Sequence, residues 1–252
     1  MTRATLDRRG VALVLVLWVL VLLGGIAAGV TAGTRTAGDA TVNLRARAVA
    51  RYMAESGVVA AVHAVDRALL AAADDSVARR AALNAPERTI AGADSFALGE
   101  GTVQVAIVDA SARLDVNAAT EAQLAALFVR TGSPVEAPLA ARAIRAHVDG
   151  DARGARLLRS LDELRRIPGV SESLARAAAP YLTVDGDGRI NRVTAPAPVL
   201  AAAAGELQDE PSRLVVVARG WQRGHPLTHE LQAVYAVQGT RLVFVHWRER
   251  DL

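Results

Sequence analysis

Apolar residues fill positions 11–23 without interruption, and no residue is charged from Gly10 to Thr34. At about 1.5 Å rise per residue, a helix of that length crosses the roughly 30 Å hydrocarbon layer of a bilayer. From Thr34 to about Asp74 there is no proline, and only Gly38 and Gly57 interrupt a helical composition. Val49, Tyr52, Val59, Val62 and Leu69 recur there at spacings of three and seven, which predicts one apolar stripe packed on a downstream domain. Val103, Val105 and Ile107 then alternate with their neighbours as in a half-buried strand. After Asp115 the period becomes helical. Thr120 is placed to cap a helix beginning "EAQLAALF", Leu139 to His147 forms another, and Ser160, with Glu163 three residues on, predicts a capping box for "LDELRRI". Pro168-Gly169 turns the chain and Ser171 opens "SESLARAAAPYL". The end of the chain reads as three strands, "PSRLVVVARG", "LTHELQAVYAV" and "TRLVFVHWRE", with turns at Gly220–Pro226 and Gln238-Gly239-Thr240.

Strands therefore flank a helical middle on both sides. The predicted architecture is α+β: a long N-terminal transmembrane and scaffold helix, a mixed α/β domain, and an all-helical domain inserted between the first strand and the last three. A faint internal repeat accompanies it, "LDVNAATEAQL" at 114–124 and "INRVTAPAPVL" at 190–200.

Charge narrows the set of partners. The chain has no lysine, and all 29 basic residues are arginine. Residues 1–37 hold Arg3, Arg8, Arg9 and Arg35 against Asp7, and the 25 arginines that remain meet 25 acids. The excess positive charge is thus confined to the N-terminus, where the positive-inside rule places that end in the cytoplasm and the bulk outside. A neutral remainder exerts no general attraction on phosphate, which argues against nucleic acid as a partner. Without cysteine, disulfides, thiolate metal sites and cysteine nucleophiles are excluded.

Three fates fit the apolar run. It is a secretory signal peptide cut near Val30-Thr31-Ala32, a plain anchor, or the start of a mature chain whose leader ends at Gly10. The long helix after it favours the third. "RRGVALVLVLWVL" resembles a class III, prepilin-type leader: basic residues, a glycine at the cut, then an apolar helix. The resemblance implies Val11 as the new N-terminus, commonly N-methylated. It also implies phenylalanine first and glutamate fifth, whereas this chain has Val11 and Leu15. A fifth-position carboxylate is thought to offset the amine of an adjacent subunit, so Leu15 suits a subunit at a filament end.

"SLDELRRIPGVSESLARAAAPYL" resembles a helix-hairpin-helix motif, but Gly169-Val170-Ser171-Glu172-Ser173 lacks the second glycine and the lysine that hold phosphate, and Glu172 would repel it. "ARYMAESGV", "ARLDVNAATEAQL", "LDELRRIPGVSESLARAAAPYLTV", "INRVTAP" and "FVHWRE", in that order, are similar to the K component of the type II secretion system, a minor pseudopilin (general secretion pathway protein K family). The family typically has "INVNTAP" where this chain has Arg192 and Val193.

The resemblance implies a prepilin-type leader at 1–10, a transmembrane helix at 11–34, its periplasmic continuation at 35–74, a pseudopilin domain from 75–113 and 201–252, and an inserted helical domain at 114–200. It further implies a non-enzymatic subunit at the pseudopilus tip in the inner membrane. Its partners would be other minor pseudopilins, the major pseudopilin, the inner-membrane assembly platform and prepilin peptidase, with no nucleic acid. The alternatives are a membrane-tethered DNA-uptake protein and a minor pilin of a type IV pilus.

Family members can bind calcium, for which Asp149 and Asp151 match a "D-x-D" and Asp185 with Asp187 form a second acidic pair. One pair supplies too few of the six to eight oxygens calcium takes, and the alternative reading is acids in polar turns. His63, His147, His225, His229 and His246 are scattered, with His225 and His229 read as solvent or packing residues. No serine has a G-x-S-x-G setting, and a Walker motif has no lysine to complete it.

Overall fold

The computed structural model describes residues 8–85, 95–132, 134–150, 154–203 and 207–252, without the side chains of 8–12 and 31–38. The chain divides into two compact units, Met1–Ala48 and Val49–Leu252. Helix α1 (Arg8–Ala71) supplies all of the first unit's described structure and enters the second. After it come α2 (Ser76–Asn84), β1 (Ser95–Leu98), β2 (Gly101–Asp109), β3 (Leu114–Asp115), α3 (Glu121–Thr131), α4 (Ala137–Asp149), a 3-10 turn at Leu161–Arg166 and α5 (Glu172–Ala178). The chain continues with β4 (Leu182–Thr183), β5 (Ile190–Asn191), α6 (Ala197–Ala202), β6 (Leu207–Gln208), β7 (Arg213–Gln222), β8 (Thr228–Gln238) and β9 (Arg241–Asp251).

The main sheet has the order β1-β2-β7-β8-β9 and is antiparallel throughout. Its inner face supplies Val103, Ile107, Leu214, Val216, Ala218, Leu231 and Ala233 to a core shared with α1 and α2. The short strand β1 has one half-buried residue, Phe96, and no alternation to mark it in the sequence.

Helix α1 buries the predicted stripe in part: Leu69 is in the core and Val49 and Val62 pack against it. Tyr52 and Val59 are more than half exposed, while Ala50, Met53, Ala54, Val58, Ala61, Val65 and Leu69 face the sheet. The reason is distance. Gly57 lies over Val103 and Val105, and Gly220 of β7 lies under the backbone of α1 at Ala50 and Ala54. A helix held that close presents alanine and glycine inward, and bulk is displaced to the flank.

A second core belongs to the helical segment, where Leu124, Leu127, Phe128, Ile144, Leu164, Leu174, Leu182, Ile190 and Val199 are buried together. Thr120 caps α3 in a full capping box with Gln123. Ser160 accepts from the Asp162 amide, but the turn it opens is 3-10 rather than α, and Glu163 accepts from the Arg159 amide instead of closing a box on Ser160. Pro168-Gly169 ends that turn, with Gly169 at φ 95°.

The faint repeat is structural. In each copy a two-residue strand leads into the same pair of bonds. The Asn117 amide donates to Asp115 Oδ1 at 3.0 Å and Ala119 N to Asp115 O at 2.7 Å; Val193 N donates to Asn191 Oδ1 at 3.1 Å and Ala195 N to Asn191 O at 2.9 Å. Both copies continue into a helix, α3 in the first and α6 in the second.

Candidate membrane anchor and interaction surfaces

Leu13–Val30 is the segment of α1 long and apolar enough to cross a membrane, with a mean hydropathy of 2.8 and no part of it buried. It is the one such segment among the described residues. Gly10 and Val11 belong to the same helix, with their side chains outside the description. Leu15 projects freely, 61% exposed, an apolar group where a carboxylate would carry charge.

Of the four acidic residues considered for calcium, the three that are described each meet another side chain. Asp149 pairs with Arg145 of its own helix. Asp151 lies outside the described residues. Asp185 receives Arg248 Nη2 at 2.6 Å and His246 Nε2 at 3.2 Å, and Asp187 accepts from Ser212 Oγ at 2.8 Å. Among the described residues, no group of three or more His, Asp or Glu side chains is arranged to hold a metal. Carboxylates already answered by arginine, histidine and hydroxyl donors do not fit a cation that needs six to eight oxygens.

Asp185 and Asp187 instead tie the helical segment to the sheet. Arg248 also donates to the Arg159 carbonyl at 2.8 Å, and Ser212 shares its hydroxyl with Ser111 at 2.9 Å. Asp115 is buried beside this clasp. Burial raises its pKa to about 6, the facing charges of Asp185 and Asp187 add to the shift, and the Asn117 amide and Arg213 oppose it.

A second polar junction centres on Asn191. Its Nδ2 donates to Asn84 Oδ1 at 2.8 Å and to Asp109 Oδ2 at 2.7 Å, and Thr194 Oγ1 donates to the same Asp109 oxygen at 2.5 Å. Burial raises the Asp109 pKa against the hydrogen bonds from Thr194 and Asn191. The residues that depart from "INVNTAP" avoid this junction. Val193 is exposed, and Arg192 forms a two-pronged pair with Asp209, whose pKa it lowers by hydrogen bond and charge.

In the helical hairpin the acids are engaged by neighbouring side chains. Ser171 Oγ caps Leu174 N and donates to Glu136 Oε2 at 2.7 Å, and Glu172 pairs with Arg176 at 2.6 Å.

Sequence reasoning missed Glu230, which is fully buried on β8. Arg219 Nε reaches it at 2.5 Å, Gln232 Nε2 at 2.7 Å and Arg250 Nη2 at 2.8 Å. Burial works against its charge, but the bonds from Arg219 and Gln232 and the charge of Arg250 prevail and hold its pKa below the usual range. Glu230→Gln is expected to cost about 1.5–3 kcal/mol at pH 7, as hydrogen bonds to a charged group do. The difference should vanish as pH falls through the depressed native pKa, since the charge stabilises the fold only above it. A series of urea melts from pH 7 downward checks both. His229, read as a solvent or packing residue, is buried with Nδ1 2.8 Å from Asp251 Oδ1.

No family model and no curated protein sequence matches this chain. Among solved structures, it superposes on a chain of the GspK-GspI-GspJ complex from the type 2 secretion system of enterotoxigenic Escherichia coli, with a TM-score of 0.60. The fold is that of a subunit of this secretion complex. The superposition covers 86% of the present chain and 99% of the other at 14% sequence identity. The likeness therefore takes in the sheet and the helical segment together, and it lies in backbone architecture far more than in side chains.

Proposed function

We propose that this chain is a minor pseudopilin of a type II secretion system. It stands at the tip of the pseudopilus, where it primes assembly and supports export of folded proteins across the outer membrane. The observation that carries this reading is the near-complete likeness of fold to a chain of the GspK-GspI-GspJ complex. The exposed apolar helix Leu13–Val30 supports a single-pass anchor in the inner membrane, with the three early arginines cytoplasmic and the large unit periplasmic. The role is structural rather than enzymatic. Its partners are the other minor pseudopilins, the major pseudopilin, the assembly platform and the prepilin peptidase that cuts after Gly10.

Leu15 supports the tip position. An amine at the new N-terminus costs about 2.5–3.5 kcal/mol near the bilayer centre, by analogy with a charged side chain there, and a subunit below another needs a carboxylate to answer it. A subunit with none above it does not. Leu15→Glu is therefore expected to leave secretion close to wild type. Gly10→Trp is expected to block processing, so that the full precursor accumulates on a gel; normal maturation of that variant would remove the leader assignment. The role itself is tested by deleting the gene in a secreting host: secreted enzyme should remain in the periplasm and return when the chain is restored.

A further inference from the structure

A cavity of about 760 Å³ opens where the segment 155–159 of the helical part meets β9 of the sheet. Its size falls within the roughly 300–1,000 Å³ of ligand sites. Arg156, Leu157, Leu158 and Arg159 line it from the segment, and His246 and Arg248 from the strand. A bulge puts the strand residues there. Val234 pairs with His246 and Tyr235 with Phe244, so Val245 has no partner across the ladder. The extra residue shifts the alternation. Trp247 joins Phe244 on one face, ring centroids 6.3 Å apart, and His246 and Arg248 turn to the other.

Three arginines and His246 line the cavity against one acid, Asp185. Asp185 is buried, and its two oxygens are already taken by Arg248 and His246. Arg248 thus spends its charge inside the fold, and Arg159 does not. The Arg159 amide donates to Glu163 Oε1 at 3.1 Å, and its carbonyl accepts from Arg248 Nη1 at 2.8 Å. Its backbone is pinned on both sides, while its guanidinium bonds to no group among the described residues. The preceding residue is clamped as well. Leu158 N donates to Asn117 Oδ1 at 2.8 Å, and Asn117 Nδ2 donates back to the Leu158 carbonyl at 3.0 Å. Leu158 turns into the core, 2% exposed, and leaves Leu157, 62% exposed, beside Arg159.

A free guanidinium and an apolar side chain on a fixed backbone complement a carboxylate with an apolar neighbour. The arginine fork takes both carboxylate oxygens, and a wall held in place costs little to order on binding. Nucleic acid fits less well, because the chain beyond residue 37 balances 25 arginines with 25 acids and offers no extended positive field. We propose that this cavity binds an acidic segment of another polypeptide, with a carboxylate on Arg159 and the adjoining apolar side chain against Leu157. Its described lining includes no residue of α1, so the site is separate from the membrane anchor.

The test uses the full-length chain in detergent and a fluorescein-labelled peptide, Gly-Glu-Leu-Glu-Leu-Glu-Gly, followed by fluorescence polarisation. Saturable binding is expected, weaker by about tenfold or more when glutamine replaces each glutamate. Arg159→Glu is expected to weaken binding of the acidic peptide by about tenfold or more. Arg130→Glu, the same charge change on the exposed side of α3, should leave it unchanged. Leu157→Ser, at a side chain outside the core, should weaken it by about threefold. Should Arg159→Glu not fold, Leu157→Ser and the pair of peptides decide. No binding of the acidic peptide, equal binding of the two peptides, or equal losses for Arg159→Glu and Arg130→Glu would overturn the proposal. So would displacement of the peptide by inorganic phosphate at the peptide's own concentration, which would mark a site for any small anion.

Discussion

Gly220→Ala is expected to destabilise the sheet unit by about 3 kcal/mol, the upper end of what overpacking a core costs. A Cβ on Gly220 would lie 2.1 Å from the Ala50 carbonyl oxygen, 2.6 Å from Ala54 N and 2.8 Å from Met53 Cβ. Two of those atoms are helix backbone, which no rotamer change can move aside. Either α1 lifts from β7 or the strand shifts, and both open the core around Met53, Val103 and Ala218. Gly57→Ala is the control. Its added methyl would meet Val103 Cγ2 at 2.7 Å and Val105 Cγ2 at 2.9 Å, both ends of side chains. Alanine also gains about 1 kcal/mol of helix propensity over glycine. Thermal melts of the detergent-solubilised chain should show Gly220→Ala lower by about 10 °C and Gly57→Ala by a few degrees at most. Equal losses for the two would mean that α1 does not approach β7 as closely as described.

Asp115→Asn is expected to act in the opposite direction and stabilise the protein at neutral pH. Asp115 is 4% exposed, and its pKa is about 6 against roughly 3.9 in an unfolded chain. The native state therefore holds a proton that the unfolded state has released between those values. The associated stability is complete below about pH 4, declines as pH rises, and is gone above about pH 6, where the buried site carries an ion it does not favour. Two pKa units at 1.36 kcal/mol each put the penalty at about 2–3 kcal/mol. Asparagine keeps the Oδ1 acceptor for the Asn117 amide and offers its NH₂ toward the carboxylates of Asp185 and Asp187. The protein already contains this solution, since Asn191 makes the same turn in the second copy of the repeat. Urea melts at pH 7.5 should show the variant more stable by about 2–3 kcal/mol, and at pH 4 the two proteins should be nearly equal. A variant no more stable at pH 7.5 would mean that Asp115 ionises without strain.

Much of the architecture could be read from local signals, because those elements depend on neighbours in the chain. The capped helix after Thr120, the Gly169 turn and the three long C-terminal strands all carry their own periodicity and turn chemistry. The features that escaped such reading depend on distance between elements. Two members of the predicted stripe, Tyr52 and Val59, looked like core residues since bulk normally goes inward, but Gly57 and Gly220 bring the backbones close and alanines take that face. The bulge at Val245 that joins Phe244 to Trp247 has no mark in an unbroken run of β-formers. The acidic pairs 149/151 and 185/187 suggested metal through spacing alone, while the arginines and serine that answer Asp149, Asp185 and Asp187 come from elsewhere in the chain or from the adjacent helical turn. Arg192 and Val193, which depart from the expected motif, fall at the surface, and Asn191 and Thr194, which match it, hold the buried junction with Asp109.

The most direct test of the central claim is the mass of the mature N-terminus, measured on chain purified from its own inner membrane. A chain beginning at Val11, with or without an added methyl group, is the predicted result, because the apolar helix must persist if it anchors and docks the subunit. A chain beginning near Gly33 would show that the helix had been discarded, and would contradict the account.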